Sequence, residues 1–263
     1  MKTAKLIASA ALLVLAACSD SNTGTVNFSL TSRQAGAPAA SAALATGTGA
    51  AFPSVATTGD STVTALGNDS VIVRSAELVL RKIELKRVEV AACDAVMENG
   101  DCEEFETGAT LVKLPLGSTA VAQQVSVDAP PGTFDQLEFE IHKPSSSDDA
   151  AFIAAHPDFA NISIRVTGTF SQAGTRTDFT FTSDVDQSEE ASLVPAVPVT
   201  EGQTLNVTLR VDIAGWFLNG AQTALVDPAS ANTGQPNESI VANNIQNSFK
   251  AFEDDNHDGQ ADH

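Results

Sequence analysis

Strict alternation of apolar and polar residues is the strongest pattern in the chain. Between residues 205 and 213 every second position is aliphatic. Weaker alternation, with turn-forming residues in between, recurs at residues 25–31, 110–116, 122–127, 134–142, 162–170 and 179–181. Successive side chains of a strand point to opposite faces, so this pattern predicts sheets with one buried and one solvated face. The sequence therefore predicts a mainly β fold, an antiparallel β-sandwich.

One long apolar segment, residues 71–90, changes phase twice: its apolar positions shift from even to odd numbers and back. A strand with bulges near Arg81 and Arg87 explains the shifts, because one extra residue turns every later side chain to the other face. The alternative is an amphipathic helix over residues 77–86.

Two further segments depart from the strand pattern. Residues 239–252 place Ile240, Ile245, Phe249 and Phe252 near helical spacing and predict a C-terminal helix before an acidic tail. Residues 35–58 consist almost entirely of Ala, Gly, Ser, Thr and Pro and predict a flexible loop. The strand at residues 25–31, ahead of that loop, then either returns to the sheet or hangs free.

The N-terminus has the layout of an export signal. Lys2 and Lys5 precede residues 6–17, an uncharged apolar run. A membrane-spanning helix needs about 20 apolar residues, so this run is too short to span and fits a secretory signal.

The signal ends in Leu15-Ala16-Ala17-Cys18, which resembles the lipobox of bacterial lipoproteins. The resemblance implies cleavage before Cys18, diacylglycerol on its thiol and acylation of its amino group. Several acyl chains would anchor the protein stably to a membrane. Ser19 after the cysteine implies sorting to the outer membrane. The alternative is an ordinary signal, cut after Ala17, that leaves Cys18 a free thiol.

These signals divide the chain into four segments. Residues 1–17 are the signal peptide, and residues 18–60 are a lipidated N-terminus with a short strand and a flexible stretch. Residues 61–236 form the sandwich, and residues 237–263 form a helix with an Asp-rich loop. Cys93 and Cys102 flank an Asn-Gly turn and, in an exported protein, predict a disulfide that closes the loop.

Part of the sandwich segment carries a second, weaker resemblance. The motifs are Ala76-Glu77-Leu78-Val79-Leu80, Pro131-Gly132-Thr133-Phe134 before Leu137-Glu138-Phe139, and residues 209–217 before Leu225-Val226-Asp227-Pro228. They resemble bacterial surface lipoproteins with a transthyretin- or immunoglobulin-like sandwich. The resemblance implies this fold for most of the chain after Val71 and implies no activity.

The acidic C-terminus resembles a calcium loop of the EF-hand or thrombospondin type-3 kind. Counted from Asp254, side-chain oxygens fall at positions one, three, five and nine, glycine at six, and a backbone carbonyl at seven. The Glu expected at position twelve is absent, so we expect weak Ca²⁺ binding, near about 10⁻⁴ to 10⁻³ M. The alternative is an acidic disordered tail. The predicted ligands are Asp254, Asn256, Asp258, Gln260 and Asp262.

Charge and missing motifs narrow the function. A formal charge of −19 disfavours binding to nucleic acid. The sequence has no HExxH zinc motif, nucleophile elbow or phosphate-binding glycine loop. We therefore expect a non-catalytic, membrane-anchored surface lipoprotein for ligand binding, adhesion or envelope structure, whose partners are the membrane and a protein or small ligand. A Ser-His-Asp triad assembled by folding remains open.

Two alternatives remain. A periplasmic carrier of a metal or small ligand would need a concave site lined by Asp184, Asp186 and His142. A carbohydrate-active enzyme would need two carboxylates facing each other across a cleft. The acidic cluster that also contains Glu189 and Glu190 is either a solvated loop or a cation site. Trp216 and Phe217 either cap the sandwich or form a platform on which a sugar stacks.

Overall fold

The computed structural model describes residues 23–32, 54–57, 60–88, 108–117, 121–256 and 258–262. The signal segment, Cys18, Cys93, Cys102, His257 and most of residues 35–58 lie outside this set, so lipidation and the disulfide stay predictions. No helix among the described residues is long and apolar enough to cross a membrane.

Strands dominate the described residues, as the alternation predicts. They are β1 (Gly24–Thr31), β2 (Ser54–Thr57), β3 (Thr62–Leu66), β4 (Asp69–Arg87), β5 (Thr110–Lys113), β6 (Ala122–Ala129), β7 (Gly132–Ile141), β8 (Ile164–Gln172), β9 (Thr175–Ser183), β10 (Gln187–Val199), β11 (Thr204–Val211) and β12 (Phe249–Glu253). The helices are α1 (Ala150–Ala155) and α2 (Glu238–Gln246), with short 3₁₀ turns at Pro157–Phe159, Ile213–Gly215 and Pro228–Ala231.

The strands form two sheets, and the mainly β sandwich expected from the sequence is confirmed. The smaller sheet has the order β12-β11-β1-β6. The larger contains β10-β7-β4-β3-β2, with β5 and β8 also on β4 and β9 on β8. Every pair in the larger sheet is antiparallel, but β1 and β11 of the smaller sheet run parallel. Parallel pairing is possible here because these two strands are far apart in sequence.

Strand β4 settles the first alternative: residues 69–87 are a strand, not a helix. A register shift between Arg81 and Glu84 leaves one extra residue in β4, and Lys82 there has φ of 52°. The predicted bulge near Arg81 is thus confirmed. Near Arg87 the register also shifts, but the extra residue, Asp135, lies in the partner strand β7.

The N-terminal strand is not free. Strand β1 lies between β11 and β6, and Val26 and Leu30 are buried in the core. The segment expected to be a flexible loop is corrected at its end, where Ser54–Thr57 pairs with β3. A short polar sequence can be a strand when a neighbouring edge satisfies its backbone groups.

The C-terminal helix is shorter than expected. It ends at Gln246, and Phe249–Glu253 is strand β12, paired with β11. Phe249 and Phe252 are therefore strand residues, and their near-helical spacing was misleading. The core selects the strand: the Phe249 ring packs against Phe139 of the other sheet at 5.2 Å between centroids.

The sandwich core lies between these two layers. Side chains from β1 and β11 face side chains from β4 and β7 around a small gap of about 20 Å³. Trp216 and Phe217, both buried, close one end, where Phe217 contacts Phe179 and Phe181 edge-on. They cap the sandwich and offer no exposed platform for a sugar.

Gly168 lies where β8 crosses a bulge in β4 and gives a stability test. A Cβ atom there would be 2.0 Å from the Ile72 carbonyl oxygen, closer than atoms can approach. Gly168→Ala should lower the free energy of unfolding by about 1–3 kcal/mol, since strain of this kind resembles overpacking. Gly215→Ala is the control, because nothing lies within 4 Å of its Cβ position. Equal urea midpoints for both variants would contradict the close approach.

Candidate functional site

The predicted calcium loop is folded around the buried carboxylate of Asp254. Its Oδ1 accepts from the Asp258 amide at 2.9 Å, and its Oδ2 accepts from the Gly259 amide at 3.0 Å and the Thr208 hydroxyl at 2.9 Å. Gly259 has φ of 76°, the left-handed conformation that a sixth-position glycine allows. The loop therefore turns as the sequence predicts.

The other predicted ligands are also held by hydrogen bonds within the loop. Asn256 Oδ1 accepts from the Asp258 amide at 2.9 Å, and Asp258 Oδ1 accepts from the Gln260 amide at 2.8 Å. Asp262 accepts from the Asp255 amide and from the Asn256 side chain, each at 2.6 Å. These bonds hold the described part of the tail in an ordered turn, which differs from the disordered tail given as the alternative.

A different group of side chains converges more closely. Among the described residues, one ligand atom each from Glu140, His142 and Asp186 lies within 4.8 Å of the others. The loop carboxylates form no such group. His142 and Asp186 belong to the carrier site expected from sequence, whereas Asp184, the third residue expected there, lies outside it.

The strand register explains why these three residues meet. Glu140 lies in β7 and His142 directly follows that strand, so their two-residue spacing puts them on one face. Gln187, the first residue of β10, pairs with Ile141, so Asp186 lies beside the same strand end. The His142 amide donates to the Val79 carbonyl of β4 at 2.9 Å, which fixes the end of the strand.

Asp149 orients the imidazole from behind. Its Oδ2 lies 2.7 Å from His142 Nε2 and accepts the Ser145 amide at 3.0 Å. Burial opposes ionisation of Asp149, but hydrogen bonds from His142 and the Ser145 amide hold the pKa of its carboxyl below the usual range. An ionised Asp149 accepts a hydrogen bond from the Nε2–H group, so a neutral ring carries its lone pair on Nδ1.

That Nδ1 atom has no hydrogen-bond partner among the described residues. It is buried, and it lies 3.5 Å from Glu140 Oε1 and 3.4 Å from Asp186 Oδ1. Buried polar atoms are nearly always hydrogen-bonded, so an unpaired one between two carboxylates calls for an explanation.

Two cations border the group. Arg81 donates to both oxygens of Glu140, at 2.9 Å to Oε1 and 3.0 Å to Oε2 through one nitrogen. Lys143 pairs with Asp184 at 3.3 Å, and that pairing draws Asp184 away from His142. Asp184 also accepts from the Thr233 hydroxyl at 3.0 Å.

The described residues near His142 do not assemble a serine triad. The Ser145 hydroxyl bonds Ser147 and Asp148, and no hydroxyl bonds His142. Among the described residues, therefore, no serine hydroxyl is hydrogen-bonded to the imidazole of the His142–Asp149 pair.

Sequence reasoning missed Glu140 and Asp149. The signal for Glu140 was its position two residues before His142 on the polar face of a strand. Asp149 carried no such signal, because a loop and the start of α1 bring it back to the imidazole.

Comparison with protein-family models, with curated proteins and with solved structures finds no match for the chain.

Glu189 lies in the acidic segment that also contains Asp184 and Asp186, and it gives a test of how the stability of the fold depends on pH. It lies half-buried in β10, and burial raises the pKa of its carboxyl. The protonated form is favoured by folding, so its stabilisation is complete below the unfolded pKa, about 4.3, and is lost as pH rises through the folded value. Glu189→Gln should raise the urea midpoint at pH 7 and have no advantage near pH 3.

Glu201→Gln is the control, since Glu201 is exposed in a turn. A Glu189→Gln advantage that stays constant from pH 3 to pH 7 would exclude ionisation as its cause.

Proposed function

We propose that this chain is a non-catalytic, lipid-anchored envelope protein that binds a divalent transition-metal ion through Glu140, His142 and Asp186. The observation that carries the proposal is the buried His142 Nδ1 atom, which has no hydrogen-bond partner among the described residues and lies between two carboxylates. The lipobox resemblance supports the anchor. Of the expectations from sequence, this function is closest to the periplasmic metal carrier.

The spacing of the ligand atoms suits such an ion. Zinc bonds to imidazole nitrogen and carboxylate oxygen are about 2.1 Å long, so the ligands at two corners of a tetrahedron are about 3.4 Å apart. The Nδ1 atom lies 3.5 Å and 3.4 Å from the two carboxylate oxygens. The three side chains would occupy three corners, which leaves the fourth for water or a partner's ligand.

The donor set selects the class of ion. A neutral imidazole suits Zn²⁺ and its neighbours in the first transition row, whereas Ca²⁺ and Mg²⁺ prefer oxygen ligands only. The carboxylate behind the imidazole is the usual outer-shell support of a metal-binding histidine. Asp149 takes that part here, since its Oδ2 lies 2.7 Å from the far ring nitrogen.

Two surrounding features tune affinity and access. Arg81 fixes Glu140 but adds positive charge beside a ligand oxygen, which weakens the hold on a cation. The Asp186 side chain is 45% exposed, so an ion reaches the site from solvent on that side. An accessible site of moderate affinity suits a protein that takes up an ion and releases it again.

The test is a Zn²⁺ titration of the full-length chain in competition with a chromophoric chelator. We expect one saturable site, and Asp186→Asn should weaken it about tenfold or more because it removes a ligand. Asp149→Asn should weaken it about 10–100-fold through the outer shell. Glu190→Gln is the control: it removes one negative charge from the segment that contains Asp186 but replaces no proposed ligand, so the Zn²⁺ affinity should stay unchanged.

Asp186 is exposed, so its variant keeps the fold, which circular dichroism checks. The absence of any Zn²⁺ site, or a site unchanged by both Asp186→Asn and Glu140→Gln, would overturn the proposal. Binding lost on replacing His257 or His263 would assign the ion to the C-terminus instead.

Calcium binding by the C-terminal loop is a second candidate function. It is supported by the left-handed Gly259 and by the turn around Asp254, which reproduce the sharp backbone turn of a calcium loop. The loop is joined to the smaller sheet through the Thr208 hydroxyl, so an ion there would brace strand β12.

Calorimetric titration of the full-length chain with Ca²⁺ tests this candidate. We expect weak saturable heat that Asp258→Asn reduces strongly. Asp255→Asn makes the same change of charge at a residue outside the predicted ligand set, so this variant should retain the heat of Ca²⁺ binding. Equal losses of heat in the two variants would mean that Ca²⁺ responds only to the overall negative charge of the tail. No heat in the wild-type chain would rule the site out.

A further inference from the structure

A polar cavity of about 370 Å³ opens between strands β11 and β12, the end of α2 and the loop after Trp216. It lies on the smaller sheet and shares no residue with the His142 group. Cavities of this volume hold small organic ligands. Its polar lining includes Arg210, Asp212, Gln222, Asn244, Asn247 and Lys250.

Two like charges face each other at this cavity. Arg210 and Lys250 are direct cross-strand partners in the register of β11 and β12. Like charges directly opposite one another destabilise a sheet. The chain has 33 acidic and only 14 basic residues, so a basic pair here is a departure from its composition.

The pair is not neutralised by close contacts. Among the described residues, no carboxylate oxygen lies within 4.0 Å of a nitrogen of either side chain. Asp212 acts on Arg210 only at longer range, and burial lowers the pKa of the guanidinium. Both cations therefore keep donors for a negatively charged ligand.

The cavity floor is held rigidly. Trp216 Nε1 donates to the Ser248 hydroxyl at 2.9 Å, and Asn244 donates to the Trp216 and Leu218 carbonyls at 3.0 and 2.7 Å. The Arg210 guanidinium lies 5.2 Å from the centre of the Phe252 ring, which restricts its motion. A site with donors fixed in advance loses less entropy on binding.

From this arrangement we infer that the cavity binds a small sugar acid. A carboxylate would lie between Arg210 and Lys250, and the amides of Gln222 and Asn247 with the Asp212 carboxylate would meet its hydroxyl groups. Arg matches a carboxylate with two parallel hydrogen bonds, and amide and carboxylate side chains complement hydroxyls as acceptors and donors. The single acidic side chain at the rim disfavours ligands with more than one negative charge, such as phosphate.

The test uses D-glucuronate as the probe with the full-length chain, followed by calorimetry or by nuclear magnetic resonance. We expect saturable binding of glucuronate. Glucose lacks the carboxylate and acetate lacks the hydroxyl groups, so each should bind at least about tenfold more weakly. Arg210→Gln and Lys250→Gln should each weaken glucuronate about tenfold or more. Lys250 is exposed, so its variant does not endanger folding.

Arg176→Gln is the matched control, an exposed cation on β9 away from the cavity, and it should leave binding unchanged. Asp186→Asn should also leave it unchanged, which separates this cavity from the metal site. Acetate or phosphate binding as tightly as glucuronate would overturn recognition of a sugar acid. Glucuronate binding that survives both Arg210→Gln and Lys250→Gln, or no binding at all, would overturn the site.

Discussion

Backbone pairing along both edges of strand β4 is the constraint on which the larger sheet depends. One edge of this 19-residue strand is hydrogen-bonded to β3 and then β5, and the other to β8 and then β7. The backbone of the strand is therefore paired on both edges over much of residues 70–80. Leu78, Val79 and Leu80 are all fully or almost fully buried, so three consecutive residues have no solvent to face. The alternation of buried and less buried positions in β4 is interrupted at these three residues.

The bulge in β4 connects this framework to the group of Glu140, His142 and Asp186, the proposed metal site. Before the bulge, Arg81 pairs with Glu140, and after it Glu84 pairs with Glu138. The extra residue turns the later part of β4 to the other face without moving Arg81 from Glu140. Arg81 then holds one carboxylate, while the Val79 carbonyl holds the His142 amide. The convergence of Glu140 and His142 is thus a consequence of how β7 is fastened to β4.

The smaller sheet shows the same dependence on distant partners. Strand β1 enters the sheet only because β11, about 180 residues later, runs parallel beside it and β6 pairs with its other edge. Strand β12 in turn extends β11 and brings Lys250 opposite Arg210. The cavity proposed for a sugar acid and the Asp254 loop both lie beside this last strand. Strands β1 and β12 are therefore structural parts of the sandwich, and the segment at residues 61–236 does not complete it.

The sequence by itself determined the elements whose identity depends on local periodicity. Alternation determined β1, β7 and β11, and the phase shift near Arg81 located a bulge without reference to a partner strand. The Asp254 loop likewise follows from spacing and one glycine. Tertiary structure alone decided what depends on pairing between distant strands. It made residues 249–253 a strand because Phe249 packs on Phe139, a contact that periodicity cannot reveal. It also brought Asp149 behind His142 and Asp186 in front of it, while Lys143 kept Asp184 apart. Side-chain convergence depends on register and loop closure, and neither is encoded in the residue types of one segment.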